Sequence, residues 1–256
     1  MVNLTDLGKA NREVCNVVIV DYATDKPFLN FKYANTTGVD ITSDSVSAMA
    51  HGAKKITFNN PLDGKLTISA QVLPLKMYAM YSDGIIDKDA TYYQTATVAC
   101  TTDGEIPLTV SDGTIVTGTV FVYNEGNFGN EAIEGTFASD KFTAKNSSDI
   151  KQGKSYEVGF MVSRTNGVQK ITLNNKRYPR DVAIYMDTIY KDENGNYIPY
   201  RINIKKATMD RNMNLSYSSE GDPQSMDMTF NLLEKNSDEF VEIVEITDDI
   251  TINPVP

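Results

Sequence analysis

The chain has 256 residues, of which 41% are hydrophobic and 23% are charged. This length and composition can bury a full core, either as one large β domain or as two smaller ones. Tyrosine, threonine and valine are common and tryptophan is absent, a mixture that favours sheet over helix. The formal net charge of −10 argues against conventional nucleic-acid binding, which requires lysine and arginine to neutralise phosphates.

Neither a targeting segment nor a metal site is predicted. Met1–Cys15 lacks the basic start and apolar run of a secretory signal, and no window approaches 18 consecutive apolar residues, so we expect synthesis in the cytosol and no membrane span. Cys15 and Cys100 are the only cysteines and are expected to be reduced thiols in strands rather than a disulfide. His51 is the only histidine, so the chain is short of ligands for zinc. We expect no cofactor.

Strand patterns dominate the N-terminal third of the chain. Strands are predicted over Cys15–Tyr22, Phe28–Tyr33 and Leu66–Val72, the last of which alternates between apolar and polar residues. Between them, Asn35–Lys55 is polar with little apolar periodicity. It is predicted to be a long loop that is either functional or disordered until it meets a partner.

One helix is predicted, over Leu75–Ser82. Pro74 is tolerated in the first helical turn, and Gly84 stands where a helix would end. Leu75, Tyr78 and Ala79 share one apolar face. A second apolar stripe is expected to be core, with an intersubunit contact as the alternative; it consists of Met77, Met80 and Tyr81.

Turn signals separate the strands predicted in the middle of the chain, which are Tyr92–Cys100, Ile106–Val110 and Ile115–Tyr123. Asp103-Gly104 and Asp112-Gly113 are the turn formers, since both dipeptides tolerate positive φ. Asn124–Gly153 is rich in glycine, serine and asparagine and is predicted to be an insertion, with short strands around Thr136–Ala144.

Sheet patterns return in the last hundred residues, where the predicted strands are Tyr156–Val162, Lys170–Asn174, Val182–Tyr190, Pro199–Lys205, Met213–Ser218 and Met226–Leu232. Asp192–Asn196 is predicted to be the turn of the best hairpin in the chain. Strict alternation in Tyr200–Lys205 and Met226–Leu232 indicates a sheet with one wet face, which can line a channel. The acidic segment that follows Leu232 is predicted to be a strand or an extended arm.

The sequence offers no catalytic constellation. A serine, cysteine or threonine nucleophile needs a positioned base, and His51 is the only histidine. With 34 acidic residues, close carboxylate pairs arise by chance and are uninformative. Strand tyrosines could stack on bases or sugars, but a basic groove is missing, and core and subunit interface are their ordinary uses; the candidates are Tyr92, Tyr93, Tyr185, Tyr190 and Tyr217. We expect no enzymatic activity.

The order of elements carries a resemblance to a known family. Gly64–Val72 leads into the short helix at Pro74–Tyr81 and then into Asp83-Gly84, while Asn212–Asp222 precedes the strand Met226–Leu232. This order resembles the major tail proteins, or tail tube proteins, of long-tailed bacteriophages. The resemblance implies a mainly β fold, an antiparallel β-sandwich or partial barrel with one short flanking α-helix, in a single domain over residues 1–256.

The resemblance also implies a structural virion protein of the phage tail, made in the host bacterial cytoplasm. Six copies would close a ring, and rings would stack into a conduit for DNA ejection. The partners implied are the chain itself, the tape-measure protein, the tail terminator and baseplate proteins, and genomic DNA in transit without specific binding. An acidic wall suits such transit because it repels DNA, although simple solubility explains the charge as well.

Residues can be assigned to the implied surfaces by pattern. Polar residues that alternate with apolar ones in the C-terminal strands are candidates to line the lumen: Asp227, Asn231, Arg201 and Asn203. Charged and titratable residues of the predicted loop are candidates for contacts between rings: Asp40, Asp44, His51 and Lys54. The alternatives are another tail or baseplate component, such as a terminator or distal tail protein, and a carbohydrate-binding β-sandwich of an adhesion module.

Overall fold

The structure is a computed structural model that describes residues 8–32, 34–221, 223–235 and 239–246. It is mainly β, with antiparallel sheets and one short helix, so the predicted fold class is confirmed. The chain divides into two compact units: unit 1 is Met1–Ile85 with Thr172–Pro256, and unit 2 is Ile86–Ile171.

The elements follow one another along the chain as β1 (Lys9–Asn11), β2 (Asn16–Asp21), β3 (Pro27–Phe31), β4 (Ala34–Thr42), β5 (Ser45–Ala50), β6 (Ala53–Asn59), β7 (Asp63–Ala70), α1 (Leu75–Met80), β8 (Ala90–Ala99), β9 (Glu105–Pro107), β10 (Thr114–Ile115), β11 (Phe121–Asn124), β12 (Gly135–Ala138), β13 (Lys141–Ala144), β14 (Ser155–Arg164), β15 (Val182–Asp192), β16 (Tyr197–Met209), β17 (Met226–Leu232) and β18 (Val241–Glu245).

Unit 1 is built on one large antiparallel sheet with the order β3-β2-β15-β16-β17-β7-β4, to which β1 adds on β15 and β18 on β16. Alternate residues of each central strand are buried on one face and form the core of the unit. α1 packs on this core through Met77 and Met80. Cys15 N donates to Thr37 Oγ1 at 3.3 Å, so the segment that leads into β2 approaches β4.

The predicted long loop over Asn35–Lys55 is wrong, because β4 and β5 occupy most of it and β6 begins at Ala53. β4 pairs with β7, and β5 pairs with β6 in a separate hairpin. The chain turns at His51 and Gly52, whose φ angles are 52° and 77°, as a two-residue hairpin turn requires. These strands are exposed along most of their length, so their polar composition resembled that of a loop.

Three other strand predictions need correction. Lys170–Asn174 and Met213–Ser218 lie outside the strands, apart from an isolated bridge between Asp87 and Lys170. The predicted strand Ile115–Tyr123 is broken into β10 and β11, since the chain between them turns through Gly118 at a φ of 83°. In contrast, Met226–Leu232 matches β17 in both bounds.

Unit 2 contains two small antiparallel sheets around a core of its own. β14 pairs with β8 on one side and with β10 and β11 on the other, and the second sheet has the order β12-β13-β9. The predicted insertion at Asn124–Gly153 lies inside this unit and supplies Phe142, Ala144 and Ile150 to its core. The inserted unit is therefore larger than predicted, because it runs from Ile86 to Ile171.

Candidate assembly surfaces

The large sheet of unit 1 has one face on the core and one polar face. In β17, Met226, Met228 and Phe230 are buried, so Asp227 and Asn231 lie on the opposite face. Directly paired residues project to the same side of a sheet, which places the partners of Asp227 and Asn231 on the polar face as well. The polar face over β4, β7 and β17 therefore consists of Thr36, Gly38, Asp40, Thr42, Asp63, Lys65, Thr67, Ser69, Asp227, Thr229 and Asn231.

The same face continues over β16, where ion pairs and hydrogen bonds join neighbouring strands. Arg201 Nη1 lies 2.8 Å from Asp187 Oδ1 of β15. Asn203 Nδ2 donates to Glu242 Oε2 of β18 at 3.2 Å, and Lys205 Nζ lies 2.9 Å from the same carboxylate oxygen. These two donors, Lys205 first, hold the pKa of Glu242 below its ordinary value.

The structure thus brings all four predicted lumen residues onto one face, with Arg201 and Asn203 on β16 and Asp227 and Asn231 on β17. Pairing of Arg201 with Asp187 neutralises part of the charge there. The face is therefore polar and of mixed charge. Its position in an assembly stays a prediction.

The hairpin β5–β6 is the second surface and has one apolar face. Val46 pairs with Phe58 and Ala48 with Ile56, whereas Ser47 Oγ lies 3.2 Å from Thr57 Oγ1 on the other face. Val46, Ile56 and Phe58 are 63%, 56% and 61% exposed, so no described part of the chain covers them. A two-stranded hairpin is marginal in water by itself, and exposed apolar patches of this kind mark interaction sites.

The four residues predicted to make contacts between rings are spread over the segment from β4 to β6. Asp40 lies on β4 opposite Lys65. Asp44 lies between β4 and β5, and its carbonyl oxygen accepts from Asn60 N at 2.8 Å. His51 is in the turn, and Lys54 is on β6. Sequence reasoning missed the apolar residues of the hairpin, although their alternation on both sides of His51-Gly52 is a hairpin signal.

The described residues hold no evident metal or membrane site. No group of three or more His, Cys, Asp or Glu side chains among them could hold a metal ion. Over the same residues, no helix has the length and hydropathy that a membrane span requires. Cys15 and Cys100 are free thiols.

Comparison with known proteins gives one family. A family model described as the YomU/Tube protein family matches residues 11–246, which is most of the chain. A search of curated proteins gives no match. A tail tube family is a structural family and not a class of enzymes. The chain therefore belongs to the YomU/Tube protein family, a family of phage tail tube proteins.

Proposed function

We propose that this chain is the ring-forming subunit of a phage tail tube, in which six copies close a ring and rings stack around a lumen that conducts DNA. The observation that carries the proposal is the uncovered apolar face of the hairpin β5–β6. A homopolymer covers such a face with a second copy of the same chain, and a head-to-tail contact that does not close produces an open-ended filament.

Ring closure uses the edges of the large sheet. β3 and β4 are the outermost strands in its order, so each presents backbone donors and acceptors on one side. Pairing between the edge strands of neighbouring subunits satisfies these groups and joins the polar faces into one continuous wall. Closure of the ring then removes these two exposed edges of the large sheet.

Stacking of rings uses the hairpin. Val46, Ile56 and Phe58 would lie against an apolar surface of a subunit in the next ring. The charged residues Asp40, Asp44, His51 and Lys54 would lie beside that contact and favour one register of the two rings.

The polar face lines the lumen in this proposal. Arg201 and Asn203 sit beside the carboxylates of Asp187 and Glu242, so no unbroken basic track is available to hold phosphates. Asp227 adds a negative charge to the same face. DNA therefore passes without a deep binding well. The tape-measure protein during assembly, and the terminator and baseplate proteins at the ends, are the further partners of this virion protein.

Electron microscopy of the purified full chain across a concentration series tests the proposal. We expect rings or tubes with a central hole and sixfold symmetry. Phe58→Ser should leave the fold intact and prevent stacking, since it removes the largest apolar side chain of the hairpin. The matched control is Thr57→Ala on the opposite face of the same strand. Persistent monomers of the wild-type chain at high concentration would reject the proposal.

A further inference from the structure

Unit 2 carries exposed aromatic side chains on the outer face of its larger sheet. Alternate residues of β14 are buried in the core of the unit, so the residues between them face outward. Phe121 of β11 lies opposite Gly159, and Tyr93 of β8 lies opposite Met161. Tyr123, two residues from Phe121, projects to the same side. The two strands that flank β14 therefore place aromatic rings on one surface.

Gly159 lets these rings lie close to the sheet. An added Cβ at this position would collide with the Tyr93 hydroxyl and lie 3.0 Å from Phe128 Cζ, so both side chains cover the glycine. The ring centroids of Tyr123 and Phe128 are 4.9 Å apart. Tyr93, Phe121 and Phe128 nevertheless remain 52%, 49% and 43% exposed. The result is a low aromatic platform that is open to a ligand.

A groove of about 790 Å³ adjoins the platform at Phe121, which lines both. Val120, Ile133, Phe137 and Phe142 supply apolar groups to this groove. Its volume falls within the range of small-molecule sites, about 300–1,000 Å³, and its mixture of aromatic and polar groups is typical of them.

The charged residues that line the groove neutralise each other, so the groove favours an uncharged ligand. Glu134 and Lys145 are the charged residues among those that line it, and their side chains pair at 2.6 Å. Thr136 and Thr143 add neutral hydroxyl groups. A nucleic acid would need unpaired basic residues to hold its phosphates, and an anionic polysaccharide needs the same.

We propose that unit 2 binds an uncharged glycan, whose pyranose rings stack on Phe121, Tyr93 and Phe128 and whose chain continues into the groove. A pyranose ring has one face of C–H groups, which an aromatic ring attracts through the negative charge of its π face. The sugar hydroxyls then bond to water and to the threonine hydroxyls. This inference does not depend on ring assembly.

The experiment measures retention of the full chain on immobilised neutral hexasaccharides of glucose and of N-acetylglucosamine, with heparin as the anionic probe. We expect the wild-type chain to bind a neutral probe in preference to heparin. Phe121→Ala and Phe128→Ala should each weaken that binding about tenfold, as for aromatic residues at the centre of other sites. Phe121→Tyr should preserve it.

Tyr217→Ala is the matched control, because Tyr217 is 89% exposed in unit 1 and has no part in the platform. It should bind as the wild type does. Circular-dichroism melting of each variant separates lost binding from lost folding. The proposal is overturned if no neutral hexasaccharide is retained, if both alanine variants bind like the wild type, or if heparin binds best. It is also overturned if Phe121→Ala abolishes self-association and glycans are not retained.

Discussion

The hydroxyl of Tyr81 donates a hydrogen bond to the backbone carbonyl of Asp227 at 3.0 Å. Tyr81 follows the last residue of α1 and is buried, whereas the side chain of Asp227 lies on the polar face. One bond thus ties the helix to the strand that carries a predicted lumen residue. Loss of the Tyr81 hydroxyl would remove this bond between the end of α1 and β17.

Tyr81→Phe should therefore lower the free energy of unfolding by about 1–2 kcal/mol, the usual cost of a lost hydrogen bond with one partner left behind. Urea denaturation monitored by circular dichroism measures the difference. Tyr78→Phe is the control, since Tyr78 packs against the same core and the described residues give its hydroxyl no hydrogen bond. Equal destabilisation by the two variants would show that the bond to Asp227 contributes nothing.

The same hydroxyl predicts a loss of stability at high pH. Burial, followed by the nearby charges of Asp227 and Asp210, raises the pKa of Tyr81 from 10.0 to about 12. The unfolded chain releases this proton at a lower pH than the folded chain does. The contribution of the protonated Tyr81 hydroxyl to the free energy of unfolding is therefore complete below pH 10.0 and is lost as the pH rises to about 12. Urea midpoints of the wild type should fall more steeply over this interval than those of Tyr81→Phe. Parallel curves would contradict the assignment.

A second polar cluster joins β1, β16 and β18. Glu245 pairs with Lys9 and accepts from the Tyr200 hydroxyl, and these hydrogen bonds, that of Lys9 first, hold the pKa of Glu245 below its ordinary value. The contribution of the charged Glu245 side chain to stability is present above the ordinary pKa of 4.5 and is lost as the pH falls through the lowered pKa. Glu245→Gln should melt earlier than the wild type at pH 7, and the gap should close in acid.

Glu134→Gln is the control for this cluster. Glu134 also pairs with a lysine, Lys145, but both side chains are well exposed, and such surface pairs contribute little. Its melting temperature should therefore stay near that of the wild type at pH 7. If the two variants melt together, the cluster around Glu245 has no special stabilising role.

The contrast between β17 and β4 explains which strands could be predicted from the sequence. Met226–Leu232 alternates strictly because one face of β17 is buried, and the predicted bounds are those observed. β4 instead has its backbone paired with β7 while most of its side chains are exposed, so its residue pattern resembles a loop. Backbone pairing of this kind leaves no mark in composition or periodicity.

The candidate surfaces could be predicted only where alternation along a single strand marks them. Alternation placed Asp227 with Asn231, and Arg201 with Asn203, on the polar face of their strands, and the structure shows that the two strands share this face. Tyr93 was among the tyrosines named as able to stack on a sugar, but the aromatic platform as a whole was not predictable. Tyr93 meets its neighbours only through the pairing of β8 with β14, and local sequence patterns do not show which distant strands pair.

Gly135 has a packing role in unit 2 that alanine should disrupt. A Cβ there would collide with the Thr143 carbonyl oxygen and lie 2.5 Å from Phe142 Cζ. Gly135→Ala should lower the free energy of unfolding by roughly 1–3 kcal/mol, as for other overpacked sites. Gly38→Ala is the control, because an added Cβ at Gly38 meets nothing within 4 Å. Thermal melting of both variants checks the difference, and an unchanged Gly135→Ala variant would refute the packing role.

The proposed lumen predicts how a change of charge affects DNA in assembled tubes. Asp227→Lys replaces a carboxylate on the polar face with an ammonium group, and one copy in every subunit would create a ring of positive charge. Such tubes should assemble normally and retain duplex DNA at low salt, with retention falling steeply as salt rises. Glu125→Lys makes the same charge change in unit 2 and should retain far less DNA. Sedimentation of tubes with labelled DNA measures both, and equal retention by the two variants would place Asp227 away from the lumen.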